Sequence, residues 1–292
     1  MSGRTESVAT RLAADIEQGN HYEALQRIQS LVPRYLSTGK TERAETLVRE
    51  ASTAMSKVGE WTSAADVAKL YVTAMREKGV AWTDGTRGVV LHLLDALDAC
   101  ERPELLRDFV DGAVSWAGDD ASGVHERFGA YLARRGHLAL ACRHLVLGND
   151  AKQLADALFA WSKHGSDGEA GLFLARAVLQ LYALGKAATG RAVVAAFAEL
   201  ATVAHADDTG YGVPMFNFLD LLGQAVEAKM PAAVFTGLRE RYAPSLRRDE
   251  DLGKLVTAVG AKHFGVVPER AGGGIMSMVQ DIMGELLNPA AA

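Results

Sequence analysis

Residues 19–79 read GNHYEALQRIQSLVPRYLSTGKTERAETLVREASTAMSKVGEWTSAADVAKLYVTAMREKG, with glycine at positions 19, 39, 59 and 79. The spacing is 20 residues each time. The three segments between them, 20–38, 40–58 and 60–78, predict helices. In the second, Ala44, Leu47, Val48, Ala51, Ala54, Met55 and Val58 recur at i, i+3, i+4, i+7, which draws one apolar stripe at the α-helical period. Leu25, Ile28, Val32, Tyr35 and Leu36 do the same in the first. Each glycine stands where a helix should stop, because glycine enters the left-handed C′ position without a Cβ penalty. Two such helices make a hairpin of about 40 residues, the size of a helical-repeat unit. A lone hairpin cannot bury its stripe and must stack on the next. The expected fold is therefore all-α: a right-handed α-solenoid of stacked antiparallel hairpins resembling TPR repeats.

Outward from this stretch, the rest of the chain continues the pattern with weaker punctuation. A first helix is predicted over Thr5–Gln18, with Val8, Leu12 and Ile16 on one side. Pro33 predicts a kink in the helix that holds it, since it removes an intrahelical hydrogen bond. Further helices are predicted over Gly85–Cys100, Pro103–Trp116, Val124–Arg135, His137–Gly148, Asp150–His164, Glu169–Leu184, Thr189–Ala204, Met215–Lys229, Ala232–Tyr242 and Asp249–Phe264. Gly118–Gly123 reads as a loop, and Pro244 as the stop after Tyr242. His205–Pro214 is the longest turn-rich stretch and the expected break. After the glycine linker 265–274, a closing helix is predicted over Ile275–Leu287. Residues 1–150 and 151–292 form the two expected halves.

Bulk properties narrow the function. A chain of 292 residues can bury a large core. Its 49% hydrophobic content fits a soluble globular protein. A net charge of −5 argues against nucleic acid as the ligand. Cys100 and Cys142 show neither metal spacing nor a disulfide framework and read as reduced core residues of a cytosolic protein. No apolar run is long enough for a signal peptide or a membrane span; the nearest, Leu172–Leu184, is broken by Arg176 and Gln180.

Three stretches invite a catalytic or ligand reading. Ser37–Thr41 (STGKT) resembles the end of a phosphate loop, but the position that needs the first glycine holds Arg34, and a helix end followed by a helix start accounts for it. Asp119 and Asp120 lack a third carboxylate on the same helix face. His137, Cys142 and His144 do not converge as a zinc site requires. No catalytic residue, cofactor or metal is therefore expected, and a metal-dependent enzyme is the weaker alternative.

Two surfaces remain. Glu23, Arg27, Ser30 and Arg34 lie opposite the stripe of the 20–38 helix, with Lys40 and Arg43 following. Thr62, Asp66, Lys69 and Thr73 point outward from the 60–78 helix. Residues 25–49 hold five basic and two acidic groups within an acidic chain, a local field suited to steering an acidic protein partner. At the C-terminus, Ile275, Met276, Met278, Val279, Ile282, Met283, Leu286 and Leu287 make a methionine-rich stripe that either caps the array or meets a partner.

Several stretches together resemble one family: Ile16-Glu17-Gln18-Gly19-Asn20-His21-Tyr22-Glu23-Ala24, Arg34-Tyr35, Ser63-Ala64-Ala65-Asp66, Asn217-Phe218, Tyr242-Ala243-Pro244-Ser245-Leu246-Arg247-Arg248-Asp249 and Phe264-Gly265-Val266. In order and interval these are similar to the fourth subunit of the guided-entry-of-tail-anchored-proteins pathway, the Golgi-to-ER traffic protein family, over roughly residues 10–287. The resemblance implies a non-catalytic cytosolic adaptor for targeting tail-anchored proteins to the ER membrane. Its N-terminal half would dock on the homodimeric targeting ATPase through Tyr22, Arg27, Arg34, Tyr35 and Asp66. Its C-terminal half would hold a ubiquitin-like-domain protein that recruits a client-loaded TPR co-chaperone, through Phe264, Ile275, Met278, Val279, Ile282 and Leu286. The resemblance also implies a chaperone scaffold as a partner. The family's tyrosine pair is here His21-Tyr22, and its second arginine is here Ser37. The alternative is a TPR-like scaffold subunit of another complex.

Overall fold

The structure, a computed structural model, describes residues 3–166, 168–204 and 213–266. Among them every regular element is helical and no strand occurs. The chain divides into two compact units, 1–135 and 136–292. The boundary lies ahead of the 150/151 point expected, so the helix over 138–147 belongs to the second unit.

The first unit holds α1 (Gly3–Glu17), α2 (His21–Ser37), α3 (Thr41–Lys57), α4 (Trp61–Glu77), α5 (Asp84–Ala96), α6 (Arg107–Ala117) and α7 (Ser122–Arg134). The odd-numbered helices pack side by side in one layer, α1 on α3, α3 on α5 and α5 on α7; α2, α4 and α6 form the other layer. The hairpin repeat is written in the side-chain bonds between layer neighbours. Lys69 donates to Asp108 and Arg76 to Ser115, each 39 positions on. Thr53 meets His92 at the same separation, and Arg134 pairs with Asp98 at 36.

The helix ends follow from the glycines. Gly19, Gly39, Gly59 and Gly79 all take positive φ, between 62° and 93°. At each, the glycine N–H and the next N–H reach back to the helix, as in Gly39 N to Leu36 O (3.1 Å) and Lys40 N to Tyr35 O (2.8 Å). This Schellman pattern satisfies carbonyls that the helix leaves open. The expected helices over 20–38, 40–58 and 60–78 are thus observed one residue shorter at each end. STGKT is this helix end and start.

The stripes bury as their spacing requires: Ile28, Val32, Leu47, Val48 and Met55 lose essentially all solvent contact. Two members depart. Val58 is 42% exposed, because as C-cap of α3 it lies beyond the last helical turn that faces the core. Tyr35 is only half-buried. α2 runs through Pro33, and Ser37 Oγ donates to the Pro33 carbonyl (2.8 Å) in the last turn.

Local corrections cluster at the end of the first unit. The helix expected to reach Cys100 stops at Ala96 and passes into a turn. Arg135 explains the stop: it donates to the Asp98 and Cys100 carbonyls while lying over the Tyr131 ring, 4.0 Å from its centroid. GDDASG is not a loop throughout. Gly118–Asp120 form a 3-10 turn, and α7 starts at Ser122. Asp120 there accepts from Trp82 Nε1 (3.0 Å) and Arg87 (3.3 Å), so this carboxylate ties its turn to the α4–α5 connection.

The second unit holds α8 (Leu138–Leu147), α9 (Ala151–Ser162), α10 (Ala170–Leu184), α11 (Ala187–Ala204), α12 (Val213–Glu227), α13 (Ala232–Arg241), α14 (Ala243–Leu246) and α15 (Glu250–Phe264). Its centre is α10, which packs against α8, α9, α11, α12 and α15. Leu174, Ala175, Val178, Leu179, Leu181 and Tyr182 are fully buried, which accounts for the nearly all-round apolar character of this helix. α13 ends at Arg241, ahead of Pro244 as expected, and Pro244 then opens the short α14, where its missing N–H costs no bond.

α15 breaks the hairpin order. It returns to α10, with bridges that span 73 to 81 positions: Arg176 to Asp249, Arg248 to the Gly168 carbonyl, Lys262 to the Ala183 carbonyl and His263 to the Tyr182 carbonyl. The expected break at 205–214 falls mostly outside the described residues, as does the closing helix 275–287.

Candidate partner-binding face

The surface that the sequence singles out in the first unit is built on α2 and α4, neighbours in one layer. Their apolar residues point to the other layer, which leaves Tyr22, Glu23, Arg27, Ser30 and Arg34 of α2 and Thr62, Asp66, Lys69 and Thr73 of α4 exposed. Tyr22, at 65%, is the most exposed large hydrophobic residue among those described. An exposed tyrosine is a common anchor in protein interfaces.

The two helices are held in register at their N-terminal ends. His21 Nε2 lies 3.6 Å from the Glu60 carboxylate, a pair 39 positions apart like Lys69 and Asp108. By that register Asp66 lies level with Arg27, while Arg34 lies level with Thr73. The face therefore carries Tyr22 and the Arg27/Asp66 level at one end and Arg34 about two helical turns further on. Arg27 is steadied by Asp15 of α1 at 3.2 Å. Of the five residues expected to dock the ATPase, Tyr22, Arg27 and Arg34 of α2 and Asp66 of α4 are exposed, and Tyr35 is half-buried.

Residues that the sequence reading passed over extend the face to α6. Lys69 bonds Asp108, and this ion pair holds the Asp108 carboxyl below its usual range. Arg102 reaches Thr62 Oγ1 at 3.4 Å. The signal was present: these partners sit one hairpin, about 40 residues, apart. Only the assumed register was missing.

In the second unit Phe264 stacks on Phe235, with ring centroids 4.9 Å apart and planes at 20°. It is half-buried rather than displayed. Ile275, Met278, Val279, Ile282 and Leu286 lie outside the described residues. The Arg247-Arg248-Asp249 run has a structural role that its sequence did not disclose. Asp249, its side chain 7% exposed, caps α15 by accepting from Asp251 N (3.0 Å) and takes Arg176 Nε at 2.6 Å. Arg248 reaches the Gly168 carbonyl.

Among the described residues, no three of His, Cys, Asp or Glu are arranged to hold a metal ion. Both cysteines are buried and unpaired with each other; burial pushes the Cys142 thiol up to about 12. No helix of the described residues is long and apolar enough to cross a membrane.

Helical hairpins stacked in two layers, with a charged face and Tyr22 exposed, give the first unit the form of an α-solenoid. The family model for Golgi to ER traffic protein 4 matches residues 38–287, and the chain belongs to that family. The Golgi to ER traffic protein 4 homologs of Homo sapiens and Bos taurus are 26% and 27% identical, each match covering 97% of this chain and 88% of the relative. The Xenopus tropicalis homolog is 29% identical over 98% of this chain and 87% of its own. The fold matches the crystal structure of C. therm. Get4 with a TM-score of 0.80 at 22% identity, over 99% of this chain and 97% of that one.

Proposed function

We propose that this protein is a non-catalytic cytosolic adaptor of the tail-anchored protein targeting pathway. The observation that carries the reading is family membership across residues 38–287. In this reading the α2/α4 face docks the homodimeric targeting ATPase through Tyr22, Arg27, Arg34 and Asp66, with Tyr35 at the margin. The second unit, with Phe264 and the stretch containing Ile275, Met278, Val279, Ile282 and Leu286, holds the ubiquitin-like partner that brings the client-loaded co-chaperone. The exposed tyrosine, the mixed charges and the ladder joining α2, α4 and α6 suit a partner met by diffusion and held by polar contacts.

The test is an affinity pull-down of the tagged chain from its own cytosol, read by mass spectrometry, beside an Arg34→Glu/Asp66→Lys variant. Wild type should retain both an ATPase and a ubiquitin-like protein, and the variant only the second. Recovery of another stable complex, with neither of these, overturns the reading. With purified ATPase, Arg34→Glu should weaken binding by about 1–3 kcal/mol where the contact is desolvated. Unchanged affinity at low salt removes Arg34 from the interface.

A further inference from the structure

The second unit carries a groove with about 250 Å³ of free space between α8, α9, α10 and the first turns of α15. Its floor is apolar: Cys142, Leu158, Trp161, Phe173 and Leu255. Within it Trp161 and Phe173 meet edge to face at 5.0 Å. The rim carries Arg143, Arg176 and Lys254 against one lining carboxylate, Asp251; Arg176 is also bound to Asp249 and Lys254 to Asp251. An apolar trough whose rim carries three basic groups against the two carboxylates of Asp249 and Asp251 fits an apolar helix with an acidic flank.

The chain itself supplies such a segment. Residues 275–287 (IMSMVQDIMGELL) contain no basic residue, and their two charges, Asp281 and Glu285, are four positions apart. On a helical projection Ile275, Val279, Ile282 and Leu286 share the centre of one face, Ser277, Gln280 and Gly284 the opposite one, and the two acids lie on a flank.

Reach and direction agree. α15 runs alongside α10 in the same sense, Asp249 by Arg176 at its start and Lys262 by the Ala183 carbonyl at its end. The groove lies at the start of α15 and the chain leaves at its end. Going back from Gly265 to Leu255 is a path of about 15 Å at helical rise. Residues 267–274, with three consecutive glycines, can span up to about 26 Å. A 13-residue helix is about 20 Å long, enough to run back along the groove.

We propose that residues 275–287 dock in this groove of the same chain, Ile275, Val279, Ile282 and Leu286 facing the floor and Asp281 and Glu285 facing the basic rim. A partner that takes the same stripe must then lift it out first. The proposal concerns the isolated chain, so its failure leaves the adaptor reading untouched.

The full-length chain is tested with Lys254→Cys combined with one cysteine at Val279, Ile282, Leu286, Ser277, Gln280 or Gly284, oxidised and mapped by peptide mass. Intrachain disulfides at 279, 282 and 286 should exceed those at 277, 280 and 284 at least tenfold, at a rate independent of protein concentration. In the unaltered chain, carbodiimide should join the Lys254 amine to Asp281 or Glu285 as a zero-length amide. Equal yields on both faces, products formed only between two chains, or no intrachain product from either chemistry would each overturn the proposal.

Discussion

Single residues set helix ends in this protein, and they do so through backbone conformation. Gly59 has φ +81° and open space where a Cβ would sit, so Gly59→Ala suffers only the left-handed strain. The net cost should be about 1 kcal/mol in urea unfolding, after the entropy the unfolded chain loses. Lys229 is the converse case. It has φ +50°, the one positive value at a non-glycine among the described residues, and its N–H and that of Met230 close the same motif on Val226 and Ala225. Lys229→Gly should therefore stabilise the fold by about 0.5 kcal/mol. Glu45 offers a pH test. Burial raises its carboxyl above the ordinary range, against the opposing hydrogen bond from Tyr71 (3.3 Å). The folded state thus favours the protonated form. Its stabilising contribution is complete below the model-peptide value of about 4.3 and is lost as pH rises through the elevated one. Glu45→Gln should flatten that part of the stability profile and leave a chain that unfolds no earlier than wild type at neutral pH.

At the scale of elements, what could be read depended on whether a signal was local. The 20-residue glycine period and the stripes of α2 to α4 depend on neighbours three and four positions away, so those helices were legible to within one residue. The α2/α4 face followed from the same wheels. Illegible were the contacts made far along the chain. Arg135 bonds the Asp98 and Cys100 carbonyls of the turn after α5, the α7 start is steadied through Asp120, and α15 is tied to Arg176, which lies 73 positions before Asp249. No local pattern marks Gly190 and Gly223, where a Cβ would sit 2.4 Å from the buried Tyr182 side chain, whose hydroxyl donates to the Leu219 carbonyl. Asp249→Ala removes both the α15 cap and the carboxylate that takes Arg176. It should cost about 2 kcal/mol by thermal or urea melts, with the loss concentrated in hydrogen exchange of α15. A uniform loss over both units would argue that α15 is not anchored through this residue.

For the whole molecule, the two units differ in how far apart in sequence their bridges reach. In the first, the side-chain bonds between layer neighbours span 32 to 40 positions, so each hairpin needs only the one before it. In the second, α10 is completed by α15, some 80 positions on. The two units should therefore acquire structure on different schedules during synthesis. The first can consolidate hairpin by hairpin as it leaves the ribosome. The second must hold the apolar side of α10 in waiting until residues 250–264 have emerged, since long-range closure comes late. Ribosome-bound chains stalled after residue 240 should show a protease-resistant first unit and a digestible second one, and resistance of both at that length would refute the schedule. On this schedule the nascent second unit, more than the first, is the part of the chain that a chaperone would need to shield.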